Sequence, residues 1–103
     1  MYVFITYNVD MIAEVEISRR AQKQLKKVPR QIVRNLQVWV QAIMAVGLEE
    51  VRKIPGYHDE PLKGDRLGQR SIRLSRSYRA IYEIKADNTV RFVSVEEVSK
   101  HAY

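Results

Sequence analysis

The sequence predicts a small α+β domain in which an antiparallel sheet of about four strands carries two N-terminal helices on one face. Three observations support this fold class. The chain has 103 residues, enough for one domain with a modest core. Strand-like alternation of apolar and polar residues occurs near the start and again in the second half, with two helical patterns between. The later strands are joined by short connections, which favour antiparallel neighbours and leave the second sheet face open.

The first strand of the domain is predicted at residues 13 to 17, where valine and isoleucine alternate with glutamate. Residues 1 to 10 also have strand-like composition, and a second methionine, Met11, follows them. They are either an added edge strand or sequence translated from an early start. We therefore expect the domain itself to span 11–103, with 1–10 as an extension.

Two helices are predicted to follow this strand. Ser18 is a good N-cap for a short basic helix over 19–28, and Pro29 ends it. The same proline suits the first turn of a second helix, which continues to about Val46 and stops at Gly47. The apolar stripe of this second helix has the spacing of a core face, so we expect it to pack on the sheet.

The rest of the chain is predicted to form three more strands. A helical turn over 48–54 leads into a loop over 55–61 that is rich in proline and glycine. Alternating segments at 70–74 and 78–84 then form a hairpin. After a tight turn, the segment 89–98 is predicted to be a last, central strand.

The hairpin and the segment before it carry most of the positive charge. Residues 61 to 79 have a surplus of +5, compared with +6 for the whole chain. The cations are Lys63, Arg66, Arg70, Arg73, Arg76 and Arg79. Because strands hold cations at fixed spacing, we expect a surface that binds phosphate, although an acidic protein would also suit it.

Composition argues against several kinds of site. The chain has no cysteine, and its two histidines, His58 and His101, are far apart with no partner at ligand spacing. We therefore expect no metal and no other cofactor. The apolar run near the start is too short for a signal sequence, and no stretch approaches a membrane span, so we expect a cytoplasmic protein without membrane contact.

The motifs from Glu60 to Tyr82 carry a resemblance to a known superfamily. They are Glu-x-Leu-Lys-Gly, then Gly-x-x-Ser-Ile-Arg-Leu, then Tyr-Arg-x-Ile-Tyr. In order and spacing they resemble the RelE/ParE toxins of type II toxin–antitoxin modules, especially the YoeB and HigB branches. The likeness covers about Glu14 to Tyr103 and implies a RelE-like fold.

The resemblance also implies a function and partners. The chain would be the toxin component, a metal-independent and ribosome-dependent mRNA endoribonuclease that inhibits translation. Its partners would be a cognate antitoxin, mRNA and the ribosome with its rRNA, and operator DNA would be bound only through the antitoxin complex. Such a nuclease needs a base for the ribose 2′-OH, cations for the phosphate charge and an acid for the departing 5′-oxygen.

Two of these roles fall on the central motifs. Glu60 matches the glutamate before Leu-Lys-Gly in the YoeB-like branch and would be the base; the alternative is a loop carboxylate paired with Lys63. Arg79 matches the arginine of the family's Tyr-Arg-x-x-Tyr strand and would stabilise the phosphate charge; the alternative is an ion pair with Glu83 on the same strand. The residues expected to bind substrate are Lys63, Arg66, Arg73, Arg76 and Lys100.

The candidates for the acid are His101 and Tyr103. The YoeB-like branch ends in an adjacent His-Tyr pair, whereas Ala102 separates the two residues here. Histidine is favoured because its ordinary pKa of about 6.5 suits an acid better than the value of about 10 for tyrosine. The alternative is a frayed terminus without a role, and His58 is then the next candidate.

Two other functions fit part of this pattern. ParE-like proteins share the fold but inhibit DNA gyrase by binding, without a catalytic set. A plain nucleic-acid-binding module would explain the charge but not the acid and base candidates. Glu60, Arg79, His101 and Tyr103 together favour the nuclease.

Overall fold

The computed structural model describes residues 11–88 and 90–100, which form helices and strands in the expected order. The helices are α1 (Arg19–Leu25), α2 (Arg30–Val46) and α3 (Leu48–Arg52), and 3-10 turns lie at Pro55–Tyr57 and Gly64–Arg66. The strands are β1 (Val15–Ile17), β2 (Glu60–Pro61), β3 (Gln69–Arg73), β4 (Tyr78–Asp87) and β5 (Val90–Lys100).

The sheet has five strands in the order β1-β5-β4-β3-β2. Strand β1 runs parallel to β5, and the other neighbours are antiparallel, so the prediction of a four-stranded antiparallel sheet was wrong in two respects. The fifth strand is the two-residue β2, in the segment predicted as a loop. Side-chain alternation shows which face of a strand is buried, but it carries no information on the direction of a distant partner.

The helices agree closely with the predicted ones. The Ser18 hydroxyl caps α1 by accepting the Ala21 N–H at 3.0 Å, although α1 ends at Leu25, three residues early. Pro29 precedes α2, and Gly47 ends it with a φ of 86°, a conformation that favours glycine. Within residues 11–88 and 90–100 no helix is long and apolar enough to cross a membrane.

The core lies between the helices and one face of the sheet. Trp39 of α2 is fully buried and packs against Tyr82 of β4, with ring centroids 5.3 Å apart. Ile12 is also buried in this core, and its carbonyl accepts the N–H of Leu48 at 2.8 Å. The core therefore begins at Ile12, directly after Met11. The predicted extension, 1–10, lies outside the described residues.

A β-bulge changes the alternation of β5. Ile81 pairs with Glu97 and Tyr82 with Val95, so Glu96 is an extra residue without a partner on β4. Val95 faces the core before the bulge and Val98 after it. Glu97 consequently faces the open side of the sheet. Regular alternation from Val95 would have placed Glu97 on the core face.

Candidate active site

A polar cavity of about 110 Å³ lies on the open side of the sheet. It brings together three of the predicted residues, Glu60, Arg73 and Arg79, with His58, the reserve candidate for the acid. Its wall is completed by Ser71, Ser75 and Tyr78. A base candidate and two cations therefore share one small site.

Strand register creates this arrangement. Glu60 of β2 pairs with Ser71 of β3, and Arg73 pairs directly with Arg79 of β4. Two like charges in cross-strand register repel each other, so this pairing opposes folding unless an anion lies between them. The register itself thus favours a bound phosphate.

Arg79 is the cavity residue with a buried donor that lacks an acceptor among the described residues. That donor is its Nε. A buried donor left without an acceptor costs about 1–3 kcal/mol, so such a group in a native fold calls for an explanation. A phosphate oxygen would supply the acceptor.

Asp59 anchors the loop that presents His58 and Glu60. Its buried carboxylate accepts hydrogen bonds from Arg70 Nε at 2.6 Å and from the Tyr82 hydroxyl at 2.5 Å. Burial, together with the hydrogen bond to Asp59, raises the pKa of Tyr82, so the phenol stays protonated and keeps donating. His58 adopts a left-handed φ of 46°, unusual for a residue other than glycine, and the anchor holds it there.

We predict that Asp59→Asn destabilises the protein by about 3 kcal/mol, because Arg70 would keep a half-buried charge without its carboxylate. Urea denaturation measures this loss. The matched control is Asp65→Asn, at an exposed acid in the 3-10 turn. Equal midpoints for the two variants would show that the anchor contributes nothing.

Glu97 holds a second charge cluster on the open face. It is buried and accepts hydrogen bonds from Arg66 at 3.0 Å and from the Ser99 hydroxyl at 3.0 Å, and it forms an ion pair with Arg20 at 2.9 Å. Burial alone would raise the pKa of Glu97, but the two hydrogen bonds and the arginine charges outweigh it, so the pKa is lowered. Arg66, expected to bind substrate, therefore already has an anionic partner.

The other predicted residues either do not line this cavity or fall outside the described residues. Lys63 is exposed in the loop after β2, and Lys100 is exposed at the end of β5, opposite Tyr78. Arg76 lies on the hairpin turn and lines a neighbouring cavity. The two terminal candidates, His101 and Tyr103, fall outside the described residues.

Neither alternative ion pair forms within the described part of the chain. Glu60 makes no ion pair with Lys63, and Arg79 makes none with Glu83, whose carboxylate instead accepts a hydrogen bond from Gln69 Nε2 at 2.9 Å. The same residues also contain no cluster of three or more histidines and acids that could hold a metal ion.

The Asp59 anchor was missed in the sequence, although a signal for it was present. Alternation put Arg70 on the same face as Ile72 and Leu74, which is the core face. An arginine on a core face needs an acid partner, and Asp59 is an acid in the adjoining loop.

The fold is shared with solved toxin structures. The YoeB/ParE toxin from Agrobacterium tumefaciens is 16% identical with a TM-score of 0.62, over 86% of this chain and 99% of that one. YafQ from Escherichia coli is 17% identical with a TM-score of 0.67, over 85% and 92%. The RelBE2 toxin–antitoxin complex from Mycobacterium tuberculosis contributes a chain that is 20% identical with a TM-score of 0.62, over 87% and 99%. At these identities the likeness concerns the fold, and it confirms the RelE-like prediction.

A family match places the protein in the RelE/ParE class of toxins. Residues 15–100 match the sequence model of the ParE toxin of type II toxin–antitoxin system, parDE. The chain belongs to this family and is the toxin of a type II toxin–antitoxin system. No curated protein matches the sequence at a significant level.

Proposed function

We propose that this toxin is a metal-independent endoribonuclease that cuts mRNA on the ribosome and so inhibits translation. The observation that carries the proposal is the shared cavity of Glu60 and Arg79, in which the buried Arg79 Nε lacks an acceptor and Arg73 lies directly opposite. A site for an anion beside a carboxylate base is what RNA cleavage requires.

The reaction is an internal phosphoryl transfer. Glu60 accepts the proton of a ribose 2′-OH, the 2′-oxygen forms a bond to the adjacent phosphorus, and the bond from phosphorus to the 5′-oxygen breaks. Arg79 and Arg73 hold the charge on the phosphate oxygens, where a planar guanidinium can make two contacts. An acid, His101 or Tyr103, protonates the 5′-oxygen, leaving a 2′,3′-cyclic phosphate and a 5′-hydroxyl end.

The proposed partners follow from the same basic face. A cognate antitoxin would cover it with an acidic segment, because opposite charges attract across an interface. Two solved structures of similar fold are complexes of this kind, DinJ–YafQ from Escherichia coli and YoeB–YefM from Staphylococcus aureus. Operator DNA would be bound only through that complex. The place of action would be the cytoplasm, where ribosomes and mRNA are found.

A second function is favoured by the family match. The matching model is that of the ParE toxin. The resemblance to ParE-like proteins implies inhibition of DNA gyrase by binding, without catalysis. Under this function the cavity would have no chemical role, and the opposed pair of Arg73 and Arg79 would contact an acidic protein surface instead.

Primer extension on mRNA from cells expressing the toxin separates the two functions. We expect cuts at positions set by the reading frame, and none in cells that express Arg79→Ala. Intact mRNA together with stalled gyrase–DNA complexes would overturn the nuclease proposal and support the second function.

Among the cations, Arg73 is predicted to matter more for RNA binding than Arg66. Arg73 lines the cavity, whereas Arg66 is held by Glu97. We expect Arg73→Ala to weaken binding of a non-cleavable 2′-deoxy oligonucleotide and to reduce the salt slope by about 1, with a smaller effect for Arg66→Ala. Fluorescence anisotropy at several salt concentrations measures both quantities, and a larger loss for Arg66→Ala would contradict the prediction.

A further inference from the structure

A second cavity, of about 430 Å³, adjoins the candidate active site. It is a groove between α2, the hairpin turn and the 3-10 turn at Pro55–Tyr57. Its apolar wall consists of Val38, Ile54, Tyr57 and Leu74. Val38 and Ile54 are 57% and 44% exposed, so this wall is open to solvent and has no partner within the described residues.

The groove is continuous with the phosphate site. Arg73 and Ser75 line both cavities. In single-stranded RNA each phosphate is joined through one sugar to a base, so a phosphate held by Arg73 and Arg79 brings the neighbouring nucleoside to the mouth of the groove. A nucleoside next to the bound phosphate is therefore close enough to enter the groove.

The chemistry of the groove suits an unpaired base. Tyr57 is half-buried and packs on the core, so its ring is held in place. Single-stranded nucleic acids bind by stacking bases on aromatic side chains next to cations, which is the combination found here. Burial raises the pKa of the Tyr57 phenol, so the ring stays uncharged beside an RNA phosphate.

We propose that this groove is a nucleobase subsite, in which a base next to the scissile phosphate of single-stranded RNA stacks on Tyr57 against Val38 and Ile54. The subsite rests on the proposed function, because it takes RNA to be the substrate.

Selectivity for one base should be weak. The side chain of Asn35 is the amide group that lines the groove. Its Nδ2 donates to the Leu74 carbonyl at 2.7 Å, and its Oδ1 accepts from Gln31 Nε2 at 2.8 Å. Because each end of this amide already has one partner within the protein, we expect stacking to contribute more than the reading of base edges.

The test uses a non-cleavable 2′-deoxy hexamer and a series of hexamers that lack one base each. We expect one abasic position to weaken binding to the wild-type toxin by about 5- to 150-fold, as measured by fluorescence anisotropy. Tyr57→Leu keeps an apolar side chain on the core. It should bind the intact hexamer as weakly as the wild-type toxin binds the abasic hexamer, and loss of that base should weaken its binding no further. Tyr57→Phe should restore the wild-type pattern, since the ring is retained.

Val38→Glu tests the opposite wall, and its matched control is Met44→Glu, at another exposed position of α2 that lies outside the groove. Only Val38→Glu should weaken hexamer binding. The subsite is overturned if no abasic position matters, if Tyr57→Leu retains the abasic penalty, or if Tyr57→Leu and Val38→Glu impair antitoxin binding but not RNA binding. Base-dependent binding by a wild-type toxin that cuts no ribosome-bound mRNA would retain the subsite and refute only the nuclease.

Discussion

Arg79→Ala is expected to abolish growth inhibition and to slow cleavage of ribosome-bound mRNA by about 100- to 1,000-fold. This is the effect of removing one preorganised donor to a developing charge. The melting temperature should not fall and should rise slightly, because the substitution removes a buried donor without an acceptor and the like-charge pair with Arg73. Antitoxin binding should also persist, since Arg79 is one of six cations in residues 61 to 79 that an acidic segment can contact.

Two further variants sharpen the Arg79 test. Arg79→Lys should restore little activity, because an ammonium group cannot make the two-point contact of a guanidinium. Arg91→Ala is the matched control, since Arg91 is an exposed arginine of β5 that lines a cavity on another part of the domain. Full toxicity of folded Arg79→Ala would end its catalytic assignment.

Removing residues 101 to 103 is expected to slow single-turnover cleavage on ribosomes without weakening RNA binding. The cations proposed to bind phosphate lie elsewhere, so the truncation should lower the rate of the cleavage step while the affinity for RNA stays the same. A general acid typically contributes about 10²–10⁴ in rate, and we expect His101→Ala to lose that much and Tyr103→Phe much less. Rapid-quench measurements at saturating toxin report the chemical step.

The comparison variant for the tail is His58→Ala, because His58 is the histidine that lines the cavity in the described structure. If the truncated toxin cuts at the wild-type rate and His58→Ala does not, then the acid is His58 and the tail has no catalytic role. Slow cleavage by His101→Ala alone would assign the acid to the tail.

Most of the fold could be predicted because its elements are encoded locally. Ser18, Pro29 and Gly47 mark helix ends by their own capping and backbone preferences. The hairpin was predicted from the alternation of apolar and polar residues along its two strands. The parallel pairing of β1 could not be predicted in this way, since it depends on a strand much later in the chain. The bulge at Glu96 was missed because the sequence alternates regularly on each side of it, and one extra residue leaves no separate signal.

The candidate site was predictable in part for the same reason. Glu60 and Arg79 line one cavity because short connections join β2, β3 and β4, which keeps residues that are close in sequence on neighbouring strands. The partner of Arg66 could not be foreseen, since Glu97 faces it only because of the bulge. Roles for His101 and Tyr103 stay predictions.

The parallel pairing of β1 with β5 ties the completion of the sheet to the order of synthesis. The hydroxyl of Ser18, the residue directly after β1, donates a hydrogen bond to the carbonyl of Glu96 in β5, 78 positions later. Ribosomes add about 5 to 20 residues per second, so β1 waits on the order of 4 to 16 s for its partner. Strand β4, which carries Arg79, also lacks one of its two neighbours until β5 emerges. Under the proposed nuclease function, the site that holds Arg79 therefore stays incomplete in the nascent chain until β5 has left the exit tunnel.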